Sequence, residues 1–199
     1  MNRLIIIGAS GQGKVVAEIA ALNGYTDIVF LDSDSKLTEC AGYPVIGPDS
    51  MVRTLDGDVF VAIGNPIVRK RIMESESGRT FPVLIHPSAV VAKSARIAPG
   101  TIVMAGAVVN PYAKVGCGCI INTCASIDHD CSLGNYVHIS VGAHLAGSVE
   151  VHDNTWVGIG AVVSNNISIV EDCVIGAGSV VVKSICESGT YFGVPAKKK

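Results

Sequence analysis

A six-residue repeat runs through the carboxyl half of the chain and restricts what that half can fold into. Stepping by six from Val91, every position as far as Val181 is Val, Ile or Leu. The repeated positions are Val91, Ile97, Val103, Val109, Val115, Ile121, Ile127, Leu133, Ile139, Leu145, Val151, Val157, Val163, Ile169, Ile175 and Val181. Because a strand alternates its faces every two residues, a period of six encodes a short strand followed by a corner.

Two further columns of the repeat support this interpretation. Glycine recurs three positions after the aliphatic column, where a corner needs its backbone freedom, and the next position is mostly Ala, Cys, Thr or Ser. Three sides of six residues close a coil of eighteen, so the repeat predicts a parallel β-helix of about five coils. Its interior is narrow, in keeping with an aromatic content of only 5%. The N-terminal domain and the segment after Val181 are expected to cover the two open ends.

The first 85 residues have the pattern of a small Rossmann-like α/β domain, and residues 86–199 form the second domain with a C-terminal cap. An apolar strand at 3–7 leads into a glycine-rich loop and a helix that ends near Gly24. Further strands are predicted at 28–31, 59–63 and 83–85. Asn65 is expected to cap a second helix, with Pro66 at its first position.

The loop Gly8-Ala9-Ser10-Gly11-Gln12-Gly13 is a candidate phosphate site, because it follows a strand and opens a helix. Its spacing is GxxGxG rather than the dinucleotide pattern GxGxxG, which argues against an NAD-dependent enzyme. Asp32 follows the second strand, where a ribose-binding acid would lie. The alternative that Asp32 is only a turn residue remains open.

Composition excludes several classes of function. A formal net charge of −2 gives no basic field for nucleic acid, and no apolar run is long enough to cross a bilayer. The seven cysteines include no CxxC pair, so neither disulfides nor a metal site is expected, and the thiols are interpreted as small buried hydrophobes. A cytoplasmic location is predicted.

The candidate for chemistry is His129, which lies between Asp128 and Asp130 and just after an aliphatic position. Either carboxylate could hold the imidazole and raise its basicity. His138 lies half a coil further on, so the two rings cannot share one face of one coil, although they could meet across a subunit boundary. From these residues alone, His129 could also be a surface histidine beside solvated acids.

The chain resembles the sialic acid and bacillosamine acetyltransferase family of nucleotide-sugar acyltransferases. The matching segments are Gly8-Ala9-Ser10-Gly11-Gln12-Gly13, Ala62-Ile63-Gly64-Asn65, Ile127-Asp128-His129-Asp130-Cys131, Leu133-Gly134, Val137-His138, Ala146-Gly147 and Phe192-Gly193-Val194-Pro195-Ala196-Lys197. The resemblance implies a left-handed β-helix, a homotrimer and acetyl-CoA as co-substrate.

The resemblance also implies roles for individual residues. His129 corresponds to a general base and Asp130 to its acidic partner. Acetyl-CoA would contact His138, Ile159 and Ala177, and we add Gly147 as a hypothetical amide donor to the thioester oxygen. The nucleotide sugar would be held by Ser10, Gly11, Gln12, Asp32, Ser33 and Gly64. Gln12 and Ser33 depart from the family pattern, which bears on the identity of the sugar nucleotide.

The resulting prediction is N-acetylation of a UDP-linked 4-amino-4,6-dideoxy sugar for a surface glycan, by direct transfer with a histidine base. O-acetylation of a sugar such as sialic acid is the enzymatic alternative, because a hydroxyl group can use the same base. A non-catalytic β-helix trimer is the structural alternative. The three lysines at 197–199 could contact CoA phosphates or form a solvated tail.

Overall fold

The computed structural model describes residues 3–199, which form an α/β domain followed by a three-sided parallel β-helix. The first domain contains a sheet of five strands with the order β3-β4-β2-β1-β5. Its elements are β1 (Arg3–Ile7), α1 (Gly11–Leu22), β2 (Asp27–Leu31), β3 (Glu39–Cys40), β4 (Tyr43–Gly47), a 3-10 helix (Asp49–Thr54), β5 (Asp58–Val61) and α2 (Pro66–Ser75). All neighbours pair in parallel except β3 and β4.

Most of the elements predicted for this domain are present. The side chain of Asn65 caps α2 as predicted, with Oδ1 accepting from the amides of Ile67 at 3.0 Å and Val68 at 3.2 Å. The strand predicted at 83–85 was assigned to the wrong sheet, because Leu84–Ile85 pairs with Ile102–Val103 of the β-helix. The hairpin of β3 and β4 was not predicted, since β3 has only two residues and β4 is only partly buried.

The β-helix has three faces, each a stack of short strands that pair in parallel, except that Lys197–Lys198 pairs antiparallel with Gly189–Phe192. The first face contains Leu84–Ile85, Ile102–Val103, Ile120–Ile121, His138–Ile139, Trp156–Val157, Cys173–Ile175, Gly189–Phe192 and Lys197–Lys198. The second contains Val90–Val91, Val108–Val109, Ser126–Ile127, His144–Leu145, Val162–Val163 and Val180–Val181. The third contains Arg96–Ile97, Lys114–Val115, Ser132–Leu133, Glu150–Val151 and Ser168–Ile169.

Strand partners are eighteen residues apart, as in the pairing of Val109 with Val91 and with Ile127, so each coil has three sides of six residues. The aliphatic column and the small column both point inward and form one continuous core that includes Cys119, Cys131 and Cys173. The prediction of small buried thiols therefore holds for these three and for Cys40, but it is wrong for Cys124 and Cys186, which are exposed.

The corners of the coils have a left-handed backbone at the position where glycine recurs. Gly100 has φ +71° and Gly178 has φ +65°. Where this column lacks glycine, other residues adopt the same conformation, among them Tyr112, Cys124, Asp130, Tyr136, Ser148, Asn154, Asn166 and Asp172. Asn and Asp tolerate this region better than most residues, because their short polar side chains bond locally.

The N-terminal domain packs on the outer side of the first face, and not over the open end as predicted. Outward residues Leu84, Ile102 and Ile120 share an apolar cluster with Val16 and Ile19 of α1. At the open end of the first coil, the inward residues Ile85, Val91 and Ile97 are only partly buried. The predicted C-terminal cap is present: Ile185, Tyr191 and Ala196 pack against the last coil of the core.

Arg69 of α2 joins the two domains through a buried guanidinium group. Its Nε donates to the carbonyl of Gly118 at 2.6 Å and Nη2 to that of Tyr136 at 2.7 Å, both at corners of the β-helix. Its Nη1 donates to the carbonyls of Ile63 and Gly64 in the first domain. Burial lowers the pKa of Arg69 to about 10, and the group stays charged because these carbonyls replace its water.

Within residues 3–199, no helix is long and apolar enough to cross a membrane.

Replacing Arg69 with Met should lower the free energy of unfolding by about 2–5 kcal/mol, because four carbonyls lose a charged donor in a buried site. Urea denaturation of the variant measures this loss. The control is Arg71→Met on the same helix, where the side chain is exposed and the expected change is within about 0.5 kcal/mol. Equal stability of the two variants would show that Arg69 does not hold the domains together.

Candidate functional site

His129 and Asp130 form an exposed hydrogen-bonded pair at a corner of the β-helix, between the second and third faces. The imidazole Nδ1 lies 2.8 Å from Oδ2 of Asp130. Asp130 has φ +60°, the left-handed conformation of its corner column, and its amide donates to the carbonyl of Pro111 one coil earlier. The corner therefore brings two adjacent side chains into contact, which successive residues of a strand cannot do because they point to opposite faces.

Asp128 supports this corner from the other side. Its Oδ1 accepts from the amide of His129 at 2.7 Å and from Asn110 Nδ2 at 2.8 Å. The hydrogen bond to Asp130 raises the pKa of His129 above its usual value, and the charges of Asp128 and Asp130 add to the effect. The two hydrogen bonds to Asp128 lower the pKa of that carboxyl group. The corner thus contains an imidazole of raised basicity between two carboxyl groups.

Gly147 lies one coil beyond His129 in the same corner column and leaves room for the ring. A Cβ atom at Gly147 would lie 2.6 Å from both Cε1 and Nε2 of the imidazole. In the neutral ring with Nδ1 donating to Asp130, Nε2 carries no proton and is free to accept one. Gly147 was predicted as an amide donor, which stays a prediction, and the geometry adds a second role: it makes space for the reactive edge of His129.

His138 lies on the first face and is buried, unlike His129. Its ring stacks on Trp156, one coil further on, with centroids 5.2 Å apart and planes 12° apart. Trp156 donates from Nε1 to Ser140 Oγ at 2.6 Å and forms one wall of an apolar cavity of about 230 Å³. Ile159 and Ala177, both predicted to contact acetyl-CoA, line the same cavity.

The hydrogen bonds of His138 determine which of its nitrogens carries a proton. The side-chain oxygen of Asn122 accepts a hydrogen bond from the amide of Thr123. The NH₂ group of Asn122 therefore faces His138 Nε2, at a distance of 3.2 Å. Nε2 is then the acceptor, and the proton lies on Nδ1, which is buried without a partner among residues 3–199. Burial lowers the pKa of His138 to about 3, and the nearby Arg69 charge contributes. The ring is neutral with one donor unused.

The predicted transfer site is divided between two corners of one chain. His129, Asp130 and Gly147 lie between the second and third faces, whereas Ile159 and Ala177 lie between the first and second. The whole width of the second face separates the two groups. His138 lies on the first face, opposite the corner of His129, as expected from its spacing of half a coil.

The predicted nucleotide-sugar residues do lie together. They lie at the carboxyl ends of three adjacent parallel strands. Ser10, Gly11 and Gln12 follow β1, Asp32 and Ser33 follow β2, and Gly64 follows β5. This edge is where open α/β sheets bind ligands. Asp32 fastens the glycine-rich loop, because its Oδ2 accepts from the amide of Ala9 at 2.8 Å, while Oδ1 accepts from the amide of Asp34.

The start of α1 carries donors that no group of the first domain uses. The Ser10 side chain makes no capping bond, so its hydroxyl is free at the N-cap position. Lys14 makes the first helical amide bond, to the carbonyl of Ser10, which leaves the three preceding amides pointing out of the helix. Gln12 Nε2 is buried and has no acceptor within the described residues. These donors together suit an anionic ligand.

Sequence reasoning missed Trp156 and Arg69. Trp156 lies eighteen residues after His138, so the coil period could have placed it on top of that ring. Arg69 gave no signal, because its partners are backbone carbonyls that no residue pattern reveals.

Comparisons with known proteins agree with both halves of the chain. Residues 3–75 match the family model of the PglD N-terminal domain. A curated UDP-N-acetylbacillosamine N-acetyltransferase from Bacillus subtilis is 40% identical over 110 residues. That match covers 51% of this chain and 51% of the relative, so it spans about half the length of the curated protein.

Two solved structures match over the full length of the chain. The acetyltransferase domain of PglB from Neisseria gonorrhoeae, in complex with acetyl coenzyme A, has a TM-score of 0.97 and 42% identity and is covered over 100% of both chains. PerB from Caulobacter crescentus, in complex with CoA and GDP-perosamine, has a TM-score of 0.94 and 38% identity, over 100% of this chain and 98% of that one.

Replacing Gly147 with Ala should push the His129 ring away from Asp130, because the new methyl group would overlap Nε2. The pKa of His129 should then fall towards its usual value, as measured by NMR titration of the imidazole protons. Stability should change little, since the displaced group is the end of an exposed side chain. Gly78→Ala is the control, as a Cβ there meets open space. An unchanged His129 titration in the Gly147 variant would contradict this role.

Proposed function

The chain belongs to the hexapeptide-repeat family of sugar acetyltransferases, and on that premise we propose that it acetylates the amine of a nucleotide-linked 4-amino sugar with acetyl-CoA. The observation that carries the proposal is the exposed His129–Asp130 pair on a chain that matches, over its full length, structures with acetyl-CoA and with CoA plus GDP-perosamine bound. A UDP carrier and a 4-amino-4,6-dideoxy sugar are the finer form of the proposal, which the Bacillus relative's name supports.

In the proposed reaction His129 is the general base. The amine nitrogen attacks the thioester carbon, the C–N bond forms, and Nε2 of His129 takes the proton that the amine loses. Asp130 holds Nδ1 and stabilises the imidazolium that results. As the C–S bond breaks, the departing thiolate takes that proton back, so the histidine is regenerated without a covalent intermediate. Holding the two substrates side by side supplies much of the remaining rate.

We assign His138 to the electrophilic side of the reaction. It is neutral, its Nδ1–H is unused within the described residues, and it stacks on the wall of the cavity that contains Ile159 and Ala177. A neutral donor of this kind can bond to the acetyl oxygen without competing with His129 for a proton. The amide of Gly147 is the second proposed donor. Both donors would stabilise the negative charge that develops on the acetyl oxygen as the amine attacks.

A complete site requires two copies of the chain in this proposal. The base and the acyl cavity flank the second face on opposite sides, so a ring with second faces turned inward brings the base of one copy beside the cavity of the next. The outward-pointing residues of this face include several valines, among them Val90, which is 62% exposed, and Val162, which is 37% exposed. A row of exposed apolar side chains is typical of a protein–protein interface. A cyclic trimer, the assembly that the family resemblance implies, has this arrangement.

The first domain is proposed to hold the nucleotide part of the sugar substrate. Ser10, Gly11 and Gln12 present the start of α1 to a phosphate, with Asp32 and Ser33 beside the nucleoside and Gly64 at the third strand end. O-acetylation remains the alternative for the same base, and a cytoplasmic location remains a prediction. A purely structural trimer would leave the His129–Asp130 pair without a purpose.

The proposed activity is tested by thiol release from acetyl-CoA against a panel of amino and hydroxy sugars linked to UDP or GDP. We expect turnover with a 4-amino sugar and none above background with its 4-hydroxy counterpart. Turnover only with hydroxyl acceptors would replace the proposal with O-acetylation. Absence of thiol release with every acceptor would favour a structural role.

Replacing His129 with Asn should reduce kcat at least about 100-fold with little loss of stability, because the base is exposed.

Replacing Asp130 with Asn should move the acidic limb of the pH profile of kcat to lower pH. The neutral imidazole is the active form, so activity is lost as the pH falls through its raised pKa, and removing the acid lowers that pKa. The amine of the substrate titrates in the same way with both enzymes. Its effect therefore cancels when the activity of the variant is divided by that of the wild type at each pH. An unshifted limb would remove Asp130 from this role.

Mixing subunits tests whether the site is shared. His129→Asn removes the base, and Trp156→Ala removes a wall of the acyl cavity, so each variant alone should be nearly inactive. Unfolding and refolding them together should restore activity, because some interfaces then combine an intact base with an intact cavity. Refolding of each variant alone is the control. No recovery in assemblies shown to be mixed would place the whole site within one chain.

A further inference from the structure

A polar layer interrupts the apolar outer surface of the second face. From the first coil to the last, the outward column of this face contains Val90, Val108, Ser126, His144, Val162 and Val180. His144 is exposed in the single chain, and its Nδ1 lies 2.8 Å from Oγ of Ser126 on the preceding coil. This pair, the polar layer, has no part in the proposed reaction, yet it lies on the face that the ring assembly would enclose.

The ring would bring three copies of the polar layer together. In a ring whose axis is parallel to the stack, each coil lies level with the same coil of the other copies. His144 of one copy would therefore lie at the same height as His144 of its two neighbours. Val162 on one side of the layer and Val108 on the other would limit the access of water along the axis.

A proton on each of these imidazoles would oppose assembly. Histidine is the side chain whose charge ordinarily changes between about pH 5 and 8. Three charged rings around one axis would repel each other, and they would lose part of their hydration between the valines. Ser126 does not offset this cost selectively, because its hydroxyl group can donate to a neutral ring or accept from a charged one.

The groups around His144 provide no compensating charge. Among the described residues, the corners beside the second face on the coils of Ser126, His144 and Val162 carry four titratable side chains, Cys124, Asp128, His129 and Asp130. Both acids are already engaged, since Asp128 accepts from the amide of His129 and Asp130 is bonded to the ring of His129. Within residues 3–199, His144 takes part in no ion pair.

We infer that the polar layer makes the assembly of the ring sensitive to pH, with the copies separating as His144 takes up protons. The inference rests on the proposed function, which requires the ring to complete its shared site. Separated copies bind more protons than the ring, so a falling pH shifts the equilibrium towards separated copies. Because the base and the acyl cavity come from different copies, separation also divides the site.

The test measures the exchange of subunits between unlabelled and ¹⁵N-labelled assemblies of the full chain. The two are mixed at about pH 7.5 and at about pH 5.5, at one ionic strength and with a chelator present, and mixed assemblies are counted by native mass spectrometry. In the wild type, exchange should be at least about tenfold faster at the lower pH. In His144→Gln, which keeps a polar side chain without a titrating group, the two rates should agree within about twofold.

Two further variants are matched controls. His152 is also exposed and also has a serine partner, with Nε2 3.5 Å from Oγ of Ser168, but it lies beside the third face. His152→Gln should therefore keep the acceleration at low pH. His129→Asn should keep it as well, which separates the titration of the base from that of the polar layer.

Three results would overturn the inference: equal exchange rates of the wild type at both pH values, acceleration that persists in His144→Gln, or its loss in either control. If His144→Gln does not assemble, His144→Leu takes its place. A wild-type mass of one chain at about pH 7.5 would refute the ring and this inference together. Exchange does not depend on turnover, so a ring whose exchange ignores pH would refute this inference alone. Failure of acetyl transfer with every sugar would refute the proposed function and leave the exchange result intact.

Discussion

The eighteen-residue register of the β-helix is the constraint on which every other feature depends. Because each coil repeats after three sides of six, residues eighteen apart stack in columns at a spacing of about 4.8 Å. The inner columns need only methyl groups and thiols to fill a narrow core. Apart from Leu84, Ile102 and Ile120, which pack against the first domain, the outer columns are not needed for the core. They can therefore place His129 beside Gly147, His138 beside Trp156, and Arg96 beside Lys114.

The corner column adds chemistry to this register. A left-handed residue turns the chain sharply, and glycine meets that need at several corners without adding a side chain. At Asp130 the same backbone conformation is adopted by an acid, which brings its carboxylate to the imidazole of the preceding residue. The strain of a non-glycine residue at such a position is small for aspartate. The His129–Asp130 pair thus arises from the same left-handed backbone conformation that recurs at the other corners of the β-helix.

The sequence predicts the features that the six-residue period determines, but it does not predict the contacts between the first domain and the β-helix. The aliphatic column predicted the β-helix, and the strand ends predicted that Ser10, Asp32 and Gly64 would lie at one edge of a sheet. The period did not reveal that the first domain packs on the side of the stack, because Leu84, Ile102 and Ile120 occupy an outward column that patterns alone read as solvent-facing. Nor could it reveal Arg69, whose partners are carbonyl oxygens.

Arg69 also connects the two halves electrostatically. Its guanidinium binds the carbonyl of Tyr136, two residues before His138, and its charge helps to keep that imidazole neutral. His129 lies at a solvated corner beside two acids, and its pKa moves in the opposite direction. One ring is therefore restricted to donating a hydrogen bond, while the other is the more basic and can take up a proton. Two histidines nine residues apart acquire different chemistry because one faces a buried cation and the other faces carboxylates in water.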